Sequence, residues 1–275
     1  MFLSVIIVNY KTKDLTLNCV RSINQNPPSC GYEILVADNC SHDGSACVAN
    51  EPNTAYLPLS ENKGFAHANN RALKRAKGDF ILFLNPDTVV LPGTLDYCLS
   101  KLKENPKIGC VGCRVVLEDG SLDLACRRGF PTVKNALFKF LGLDKLFKNS
   151  FFSGYNLLYL PEDGEYFIDS AVGAFMMLPK KVLDAVGSFD ERYFMYAEDI
   201  DLCLRLSENG YKTLYAGKKS IIHKKRASSK KSKAAKRAFY ESMALYYDIH
   251  HAKNHTRLTN RLVHFGIFAL EKVKG

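Results

Sequence analysis

The tripeptide Asn85-Pro86-Asp87 places two oxygen-bearing side chains directly after the apolar run Phe80–Leu84. Pro86 keeps its neighbours extended, so that both polar side chains can face the same crevice. Oxygen ligands at this spacing suit a hard divalent cation, and such a cation suits a diphosphate. Taken alone, the tripeptide is more typical of a polar turn at a strand end, and the rest of the chain decides between the two interpretations.

A second polar group lies near position 200, where Glu198, Asp199 and Asp201 follow an aromatic loop. The segment from Asp199 to Glu208 has helical periodicity, and acidic residues in its first turn interact favourably with the helix dipole. Carboxylates at such a position can face a cleft and accept a proton. A base that stands beside Glu198 and Asp201 would feel like charges, which are expected to raise its pKa.

These side chains need a scaffold, which the alternation of apolar runs and helical segments predicts. We expect strands at Ser4–Val8, Tyr32–Ala37, Ala55–Leu59, Phe80–Leu84 and Ile108–Val116, separated by helices at Leu15–Ile23, Ala66–Lys77 and Pro92–Lys103. This order indicates an α/β fold with a mostly parallel sheet. Polar residues recur at the carboxyl ends of the strands, where such sheets bind ligands: Asn9, Asp38, Asn62 and Asp87.

The second half is less regular. We predict a turn at Glu118–Ser121, a strand within 169–178 and a helix at 179–186. Two short strands are expected at 211–216 and 220–222, and one or two amphipathic helices within 234–274. Residues 135–160, rich in Phe and Lys, are either a helical insertion packed on the core or a mobile flap that rests on a membrane or on an acceptor lipid.

The formal net charge of +10 comes from one stretch, because Lys218–Arg237 holds ten Lys or Arg and no Asp or Glu. Such a stretch predicts contact with an anionic surface, either a membrane or a nucleic acid.

The apolar opening predicts a first strand rather than a signal peptide, and no apolar run approaches the ~20 residues that span a bilayer. The nine cysteines, scattered through apolar segments, are typical of a reduced, cytosolic protein.

Together these segments resemble the inverting glycosyltransferases of family 2, which have the GT-A fold, and in particular their rhamnosyltransferase-like branch. The resemblance runs from Ser4 to about His223. It rests on the order and spacing of Ser4–Tyr10, Ala37–Ser45, Asn62–Phe65 with Asn69-Asn70, Asn85-Pro86-Asp87, Val172–Met176, and Gly187–Glu191 leading into Glu198–Arg205.

The resemblance implies a nucleotide-sugar donor and a role for each matching residue on the donor side. Tyr10 and Asp38 match the positions that pack on and hydrogen-bond the nucleotide base. The segment that lines the nucleotide-sugar is matched by Asn62, Gly64 and Asn70.

The resemblance also implies the reacting groups. Asn85-Pro86-Asp87 stands where the family has Asp-x-Asp, so Asp87 would hold Mn²⁺ or Mg²⁺ while Asn85 assists through the ribose or a water. Asp199 matches the general base. His223 falls where some members supply a third metal ligand, although it is equally a polar residue that ends a strand. The branch usually has tryptophan at the position of Ser170, and this chain has none.

The function implied is transfer of one sugar, from thymidine-diphosphate rhamnose or a uridine-diphosphate sugar, to a glycan or lipid-linked acceptor during bacterial surface polysaccharide assembly. Residues 1–223 would form the catalytic domain, with a donor half (1–115) and an acceptor half (116–223). Residues 224–275 would form a basic helical extension. The basic stretch Lys218–Arg237 and the C-terminal helices would then dock on the anionic inner face of the cell membrane from the cytoplasm.

Three other functions stay open at this point. A sugar nucleotidyltransferase shares the sheet, but it would want a basic Gly-rich loop where Asn9–Thr12 stands. A nucleic-acid- or membrane-binding module without catalysis could use Lys218–Arg237, but no nucleic-acid-binding motif accompanies the basic run. A catalytically inactive carbohydrate-binding relative would not need Asp87 and Asp199.

Overall fold

A computed structural model of the protein describes residues 1–140, 142–224 and 233–274. Within these ranges the chain forms a mixed sheet in the order β3-β2-β1-β4-β8-β6-β9-β5, with β7 also paired to β9. The strands are β1 (Phe2–Asn9), β2 (Gly31–Asp38), β3 (Thr54–Pro58), β4 (Phe80–Leu84), β5 (Thr88–Val90), β6 (Ile108–Leu117), β7 (Glu165–Ile168), β8 (Phe175–Pro179) and β9 (Lys212–His223).

Most of the sheet is parallel, as the alternation of strands and helices predicts. The strands β3, β2, β1, β4, β6 and β9 share one direction, while β8, β5 and β7 run against them. Strand β8 lies between β4 and β6, so the stretches 1–115 and 116–223 share one continuous sheet. The carboxyl ends of β1, β2 and β4 consequently meet at one edge.

Helices cover the sheet and extend beyond it: α1 (Lys13–Gln25), α2 (Phe65–Leu73), α3 (Thr94–Glu104), α4 (Val133–Phe140), α5 (Leu143–Leu146), α6 (Lys180–Val186), α7 (Glu198–Glu208), α8 (Lys233–His250) and α9 (Arg257–Lys274). The continuous apolar runs of β1 and β4 are buried because helices cover both faces. None of the described helices is long and apolar enough to cross a membrane.

Several local predictions need correction. The two strands expected at 211–216 and 220–222 form the single strand β9, with a register shift opposite Cys113 and Arg114 of β6. The strands β5 and β7 were not predicted, because three or four residues carry too little periodicity. A short 3₁₀ helix, Ser45–Asn50, follows Asp43-Gly44 between β2 and β3.

The insertion is helical only at its start, where α4 and α5 lie. Its later part is held by hydrogen bonds, since Ser153 Oγ donates to the carbonyl of Asp144 and Asn156 Nδ2 donates to the Asp144 carboxylate at 3.1 Å. Leu157 is buried in the main core. The insertion is therefore packed on the domain at its end, and its mobility stays a prediction.

The C-terminal helices contact the rest of the described chain through α8. Tyr246 is buried against Tyr193 and Ile200, and Ser242 Oγ donates to the carbonyl of Met195 at 2.8 Å. His250 Nε2 lies 2.7 Å from Asp201 Oδ1 on α7. Helix α8 thus supports the helix that begins at Glu198.

Candidate active site

Asp87 and His223, the two predicted metal ligands, lie side by side. The three residues of β5 pair antiparallel with the end of β9, so that Thr88 is opposite His223. The backbone N–H of Lys224 donates to the carbonyl of Asp87 at 2.7 Å, which extends this pairing. As a result, Asp87 Oδ1 lies 3.1 Å from His223 Nε2.

A third residue, Asp123, holds the other nitrogen of the same imidazole. Asp123 Oδ2 lies 3.1 Å from His223 Nδ1, and both side chains are buried. Burial opposes the charge on the imidazole, but hydrogen bonds to Asp123 and Asp87 outweigh it and raise the pKa of His223 to about 9. The sequence reasoning missed Asp123. The predicted turn after β6 could have indicated it, since the hairpin returns Asp123 alongside Val115.

This arrangement fits a divalent cation bound jointly with a phosphorylated ligand. Asp87 offers a carboxylate oxygen and His223 a ring nitrogen, with Asp123 placed to orient the ring. Over the part of the chain that the structure describes, no three His, Cys, Asp or Glu side chains are grouped to hold a metal by themselves. A cation here would take its remaining ligands from phosphate and water, as Mg²⁺ commonly does.

On the nucleotide side, Tyr10 and Asp38 have different surroundings. The ring of Tyr10 is 43% exposed at the end of β1 and is available to stack on a base. The Asp38 carboxylate is buried and accepts hydrogen bonds from Asn9 Nδ2 at 2.6 Å and the Ser41 backbone at 3.1 Å. Burial opposes its ionisation, but these bonds lower the pKa of Asp38. Asp38 therefore also braces the loop after β2.

Asn62 and Gly64 form a tight turn against a distant loop. Asn62 Oδ1 accepts from the Gly64 backbone at 3.0 Å, and the Phe65 backbone donates to the carbonyl of Phe194 at 2.7 Å. Gly64 has φ +99°, and a Cβ there would lie 2.3 Å from the carbonyl oxygen of Phe194. Only glycine allows this contact. Asn39 Nδ2 completes the turn by donating to the Gly64 carbonyl at 3.1 Å.

Asn70 and Asn85, the remaining predicted donor-binding residues, are less directly placed. Asn70 Nδ2 donates to the Phe189 carbonyl at 2.8 Å and to Glu191 at 3.0 Å, so it joins α2 to the loop before α7. The side chain of Asn85 is half-buried at the end of β4. Asn70 thus has a bracing contact in addition to its predicted role.

Asp199 is held tightly at the start of α7. Its Oδ2 accepts from Arg128 at 2.7 Å and from the backbone of Gly173 at 2.9 Å, while its Oδ1 accepts from the backbone of Ile200 at 2.8 Å. Next to Gly173, the carbonyl of Ala174 accepts from the backbone of Asn85 at 3.2 Å. Two neighbouring residues therefore join the predicted base to the tripeptide that is predicted to bind the metal.

Glu198, the residue before Asp199, carries a buried carboxyl group. Burial and the negative charge of Asp199 raise the pKa of Glu198 to about 8. Its Oε2 is buried and has no hydrogen-bond partner among the described residues. Asp201, the third carboxylate, is neutralised by Arg205 at 2.9 Å and contacts His250.

Arg128 was not predicted, although it is the cation of this site. It is almost completely buried, and proximity to the Asp199 carboxylate raises its pKa in spite of burial. Its backbone forms an antiparallel bridge with Ser170, whose Oγ lies 3.3 Å from Arg128 Nη2. Ser170 is fully buried. In this chain, the position that usually carries tryptophan therefore holds a small side chain packed against Arg128. Asp169 beside it is exposed, and its Oδ2 accepts from the backbone of Phe130 at 2.8 Å.

Comparison with known proteins agrees with this geometry. The family model described as "Glycosyl transferase family 2" matches residues 4–162. An N-acetylglucosaminyl-diphospho-decaprenol L-rhamnosyltransferase of Mycobacterium tuberculosis is 29% identical over 215 residues, which cover 74% of this chain and 69% of the relative. The rhamnosyltransferase WbbL of Escherichia coli is 29% identical over 233 residues, covering 80% and 82%.

Solved structures show the same fold. The TM-score is 0.60 to S. aureus TarS 1-349, at 20% identity, with 89% of this chain and 64% of that chain covered. It is 0.64 to GalNAc-T7 with UDP, GalNAc and Mn²⁺, at 14% identity, with 90% and 48% covered. The chain spans less than two thirds of either structure. Because the family model covers more than half of it, the chain belongs to glycosyl transferase family 2 and is a glycosyltransferase with the GT-A fold.

Proposed function

We propose that the protein transfers a single sugar from a nucleoside-diphosphate sugar to a glycan or lipid-linked acceptor, with metal dependence and inversion at the anomeric carbon. The observation that carries this proposal is the joining of two groups that the reaction needs. Asp87 lies against His223, and the tripeptide that contains Asp87 is bonded through Gly173-Ala174 to Asp199.

Asp87 and His223 would hold the divalent cation, with Asp123 orienting the imidazole. When bound, the cation supplies positive charge that stabilises the leaving diphosphate. Tyr10 would stack on the base of the donor, and the turn of Asn62 and Gly64 would line the sugar. Asn85, half-buried at the end of β4, would assist through the ribose or a water.

Asp199 would act as the general base for the acceptor hydroxyl. A base that acts on the face opposite the leaving group yields inversion. Arg128 and two backbone N–H groups fix the Asp199 carboxylate, so the acceptor would be activated by a group held in one orientation. Arg128 is accordingly a positioning residue.

The donor and acceptor are proposed from the relatives. Both curated relatives are named as rhamnosyltransferases, and one name specifies a lipid diphosphate acceptor. These names favour thymidine-diphosphate rhamnose over a uridine-diphosphate sugar as the donor, and they favour a role in surface polysaccharide assembly.

The enzyme would work at the cytoplasmic face of the membrane. Part of the basic stretch Lys218–Arg237 lies outside the described residues, so its membrane contact stays a prediction. Family membership sets aside the nucleotidyltransferase and nucleic-acid alternatives.

A panel of nucleotide-sugars, with Mn²⁺ or Mg²⁺ present, tests the proposal through release of the nucleoside diphosphate. We expect one donor to be turned over, and we expect Asp87→Ala to abolish that turnover while Asp119→Asn, on an exposed turn, leaves it intact. Turnover that is indifferent to chelator and to Asp87→Ala would contradict the metal role.

The base is tested separately with the donor and acceptor so identified. We expect Asp199→Asn to lower kcat about 10²–10⁴-fold with little change in donor KM. NMR of the product should show the inverted anomer. Near-normal transfer by folded Asp199→Asn would place the base elsewhere.

A further inference from the structure

Helix α9 carries an apolar face that the described protein leaves uncovered. Four large side chains on it are more than half exposed: Leu258 at 69%, Leu262 at 62%, Phe265 at 68% and Phe268 at 53%. Their spacing of four, three and three residues places them on one side of the helix. Single exposed apolar residues are ordinary, but a stripe of four along one helix is typical of an interaction surface.

The rotation of α9 is fixed by polar contacts on its opposite side. Asn260 Oδ1 accepts from Tyr247 of α8 at 2.8 Å, and Asn260 Nδ2 donates to the Ala252 carbonyl at 3.1 Å. His264 Nε2 lies 2.8 Å from Asp248 Oδ1. These bonds direct Val263 and Ile267, which are partly buried, toward α8. The stripe of Leu258, Leu262, Phe265 and Phe268 therefore faces away from the protein.

The cations on this face indicate what covers it. Arg261 and Lys272 are exposed and lie within the stripe, and Arg257 borders it. In a symmetric contact with a second copy, the same patch would face itself, so these cations would meet like charges. At a bilayer surface the same long side chains can extend to lipid phosphates while the apolar groups enter the acyl boundary.

We infer that α9 lies in the plane of an anionic bilayer, with Leu258, Leu262, Phe265 and Phe268 inserted below the headgroups and Arg257, Arg261 and Lys272 on lipid phosphates. The occupant is a phospholipid surface rather than a protein. This contact is separate from the basic stretch Lys218–Arg237, and it does not depend on which sugar the enzyme transfers.

The absence of tryptophan from the chain provides a clean test. Phe265→Trp introduces a single fluorophore into the stripe, and Phe167→Trp introduces one at a similarly exposed phenylalanine on β7. Each full-length variant is mixed with phosphatidylglycerol vesicles whose acyl chains are brominated. We expect strong quenching and a blue shift for Phe265→Trp, and neither for Phe167→Trp.

Binding strength is measured by vesicle co-sedimentation. We expect Leu262→Ser with Phe265→Ser to lower the partition coefficient at least about tenfold, because two apolar side chains lose their burial. Arg261→Gln should weaken binding to anionic vesicles and leave binding to phosphatidylcholine vesicles unchanged.

Three outcomes would overturn the inference. Absence of quenching in Phe265→Trp would show that the stripe does not enter the bilayer. Equal quenching of both tryptophans would indicate adsorption without orientation. A dimer by light scattering that dissociates in the Leu262→Ser, Phe265→Ser variant, without quenching, would assign the face to a second copy.

Discussion

At the scale of single residues, the imidazole of His223 is fixed from both sides. Asp123 occupies Nδ1 and leaves Nε2 directed at Asp87. Carboxylates in this outer position orient metal-binding histidines and increase their basicity. At the proposed metal site, Asp123 would therefore be the residue through which the metal affinity could be changed without removing a ligand.

We predict that Asp123→Asn weakens Mn²⁺ binding about 10–100-fold. Asparagine keeps the shape of the side chain but removes the charge that supports the ring. Titration calorimetry with Mn²⁺ in the presence of the nucleoside diphosphate measures the effect. Asp119→Asn, a few residues earlier on the exposed turn, is the matched control. Equal affinities in the two variants would contradict a role for Asp123.

Glu198 makes stability depend on pH. Its pKa rises from 4.5 to about 8 on folding because the carboxyl is buried beside Asp199. The folded protein therefore binds a proton that the unfolded chain has lost, and the resulting stabilisation disappears as pH rises through about 8.

We predict that Glu198→Gln is as stable as the parent protein near pH 4.5 and more stable near pH 9, by roughly 3–8 °C in Tm. Thermal unfolding across this pH range measures the difference. Glu208→Gln, exposed at the end of the same helix, should show no such divergence. Parallel pH profiles for the parent and Glu198→Gln would show that Glu198 does not titrate in this range.

Sequence reasoning found the candidate residues that the neighbouring sequence marks. It missed the residues whose roles depend on contacts with distant parts of the chain. Asp87 follows a strong apolar strand, and Asp199 begins a periodic helix, so both were candidates. Asp123 lies 100 residues from His223, and Arg128 lies 71 residues from Asp199. Their roles arise from the register of β6, β9 and the bridge at Ser170, which no local pattern specifies.

At the scale of elements, the turn at Gly64 joins the start of α2 to the loop of Phe194. The Phe194 loop packs so closely on Gly64 that a side chain has no space. Tertiary contacts also explain why the strand β5 was not predicted, because its three residues form a strand only where β9 lies beside them. Short elements of this kind depend on tertiary pairing rather than on intrinsic propensity.

We predict that Gly64→Ala destabilises the protein beyond the ~1–3 kcal/mol expected for alanine in the nearly glycine-only backbone region of φ +99° and ψ 175°. The additional cost is the clash with the Phe194 carbonyl. Gly120→Ala, at a residue with φ +80° and open space around its Cβ, is the control for alanine at a positive φ without a clash. Urea unfolding of both variants measures the difference, and equal losses would show that the Phe194 loop yields freely.

At the scale of the whole molecule, β8 unites the sheet by lying between β4 and β6. Gly173-Ala174, just before this strand, contact both Asn85 and Asp199. Ligands at the donor site should therefore stabilise the entire domain rather than one half.

We predict that Mn²⁺ and the nucleoside diphosphate raise Tm together by roughly 5–10 °C at about 100 times Kd, and much less when added singly. The reason is that the cation takes ligands from both the protein and the phosphates. Asp87→Ala should lose the cooperative part in the same thermal-shift measurement. A full shift with nucleotide and chelator would contradict joint binding.

The packing of α8 between α9 and α7 has a consequence for acceptor choice. With α9 seated on a bilayer, α8 forms the next layer, and Tyr246 and His250 hold the start of α7 above it. Each helix is about 10 Å across, so Asp199 would stand at a set height of about 20 Å over the lipid. The helices α8 and α9 would then set the distance between the bilayer and the proposed base. The enzyme would use acceptors whose hydroxyl reaches that height above the lipid. Acceptors that place the hydroxyl lower or higher would not be substrates.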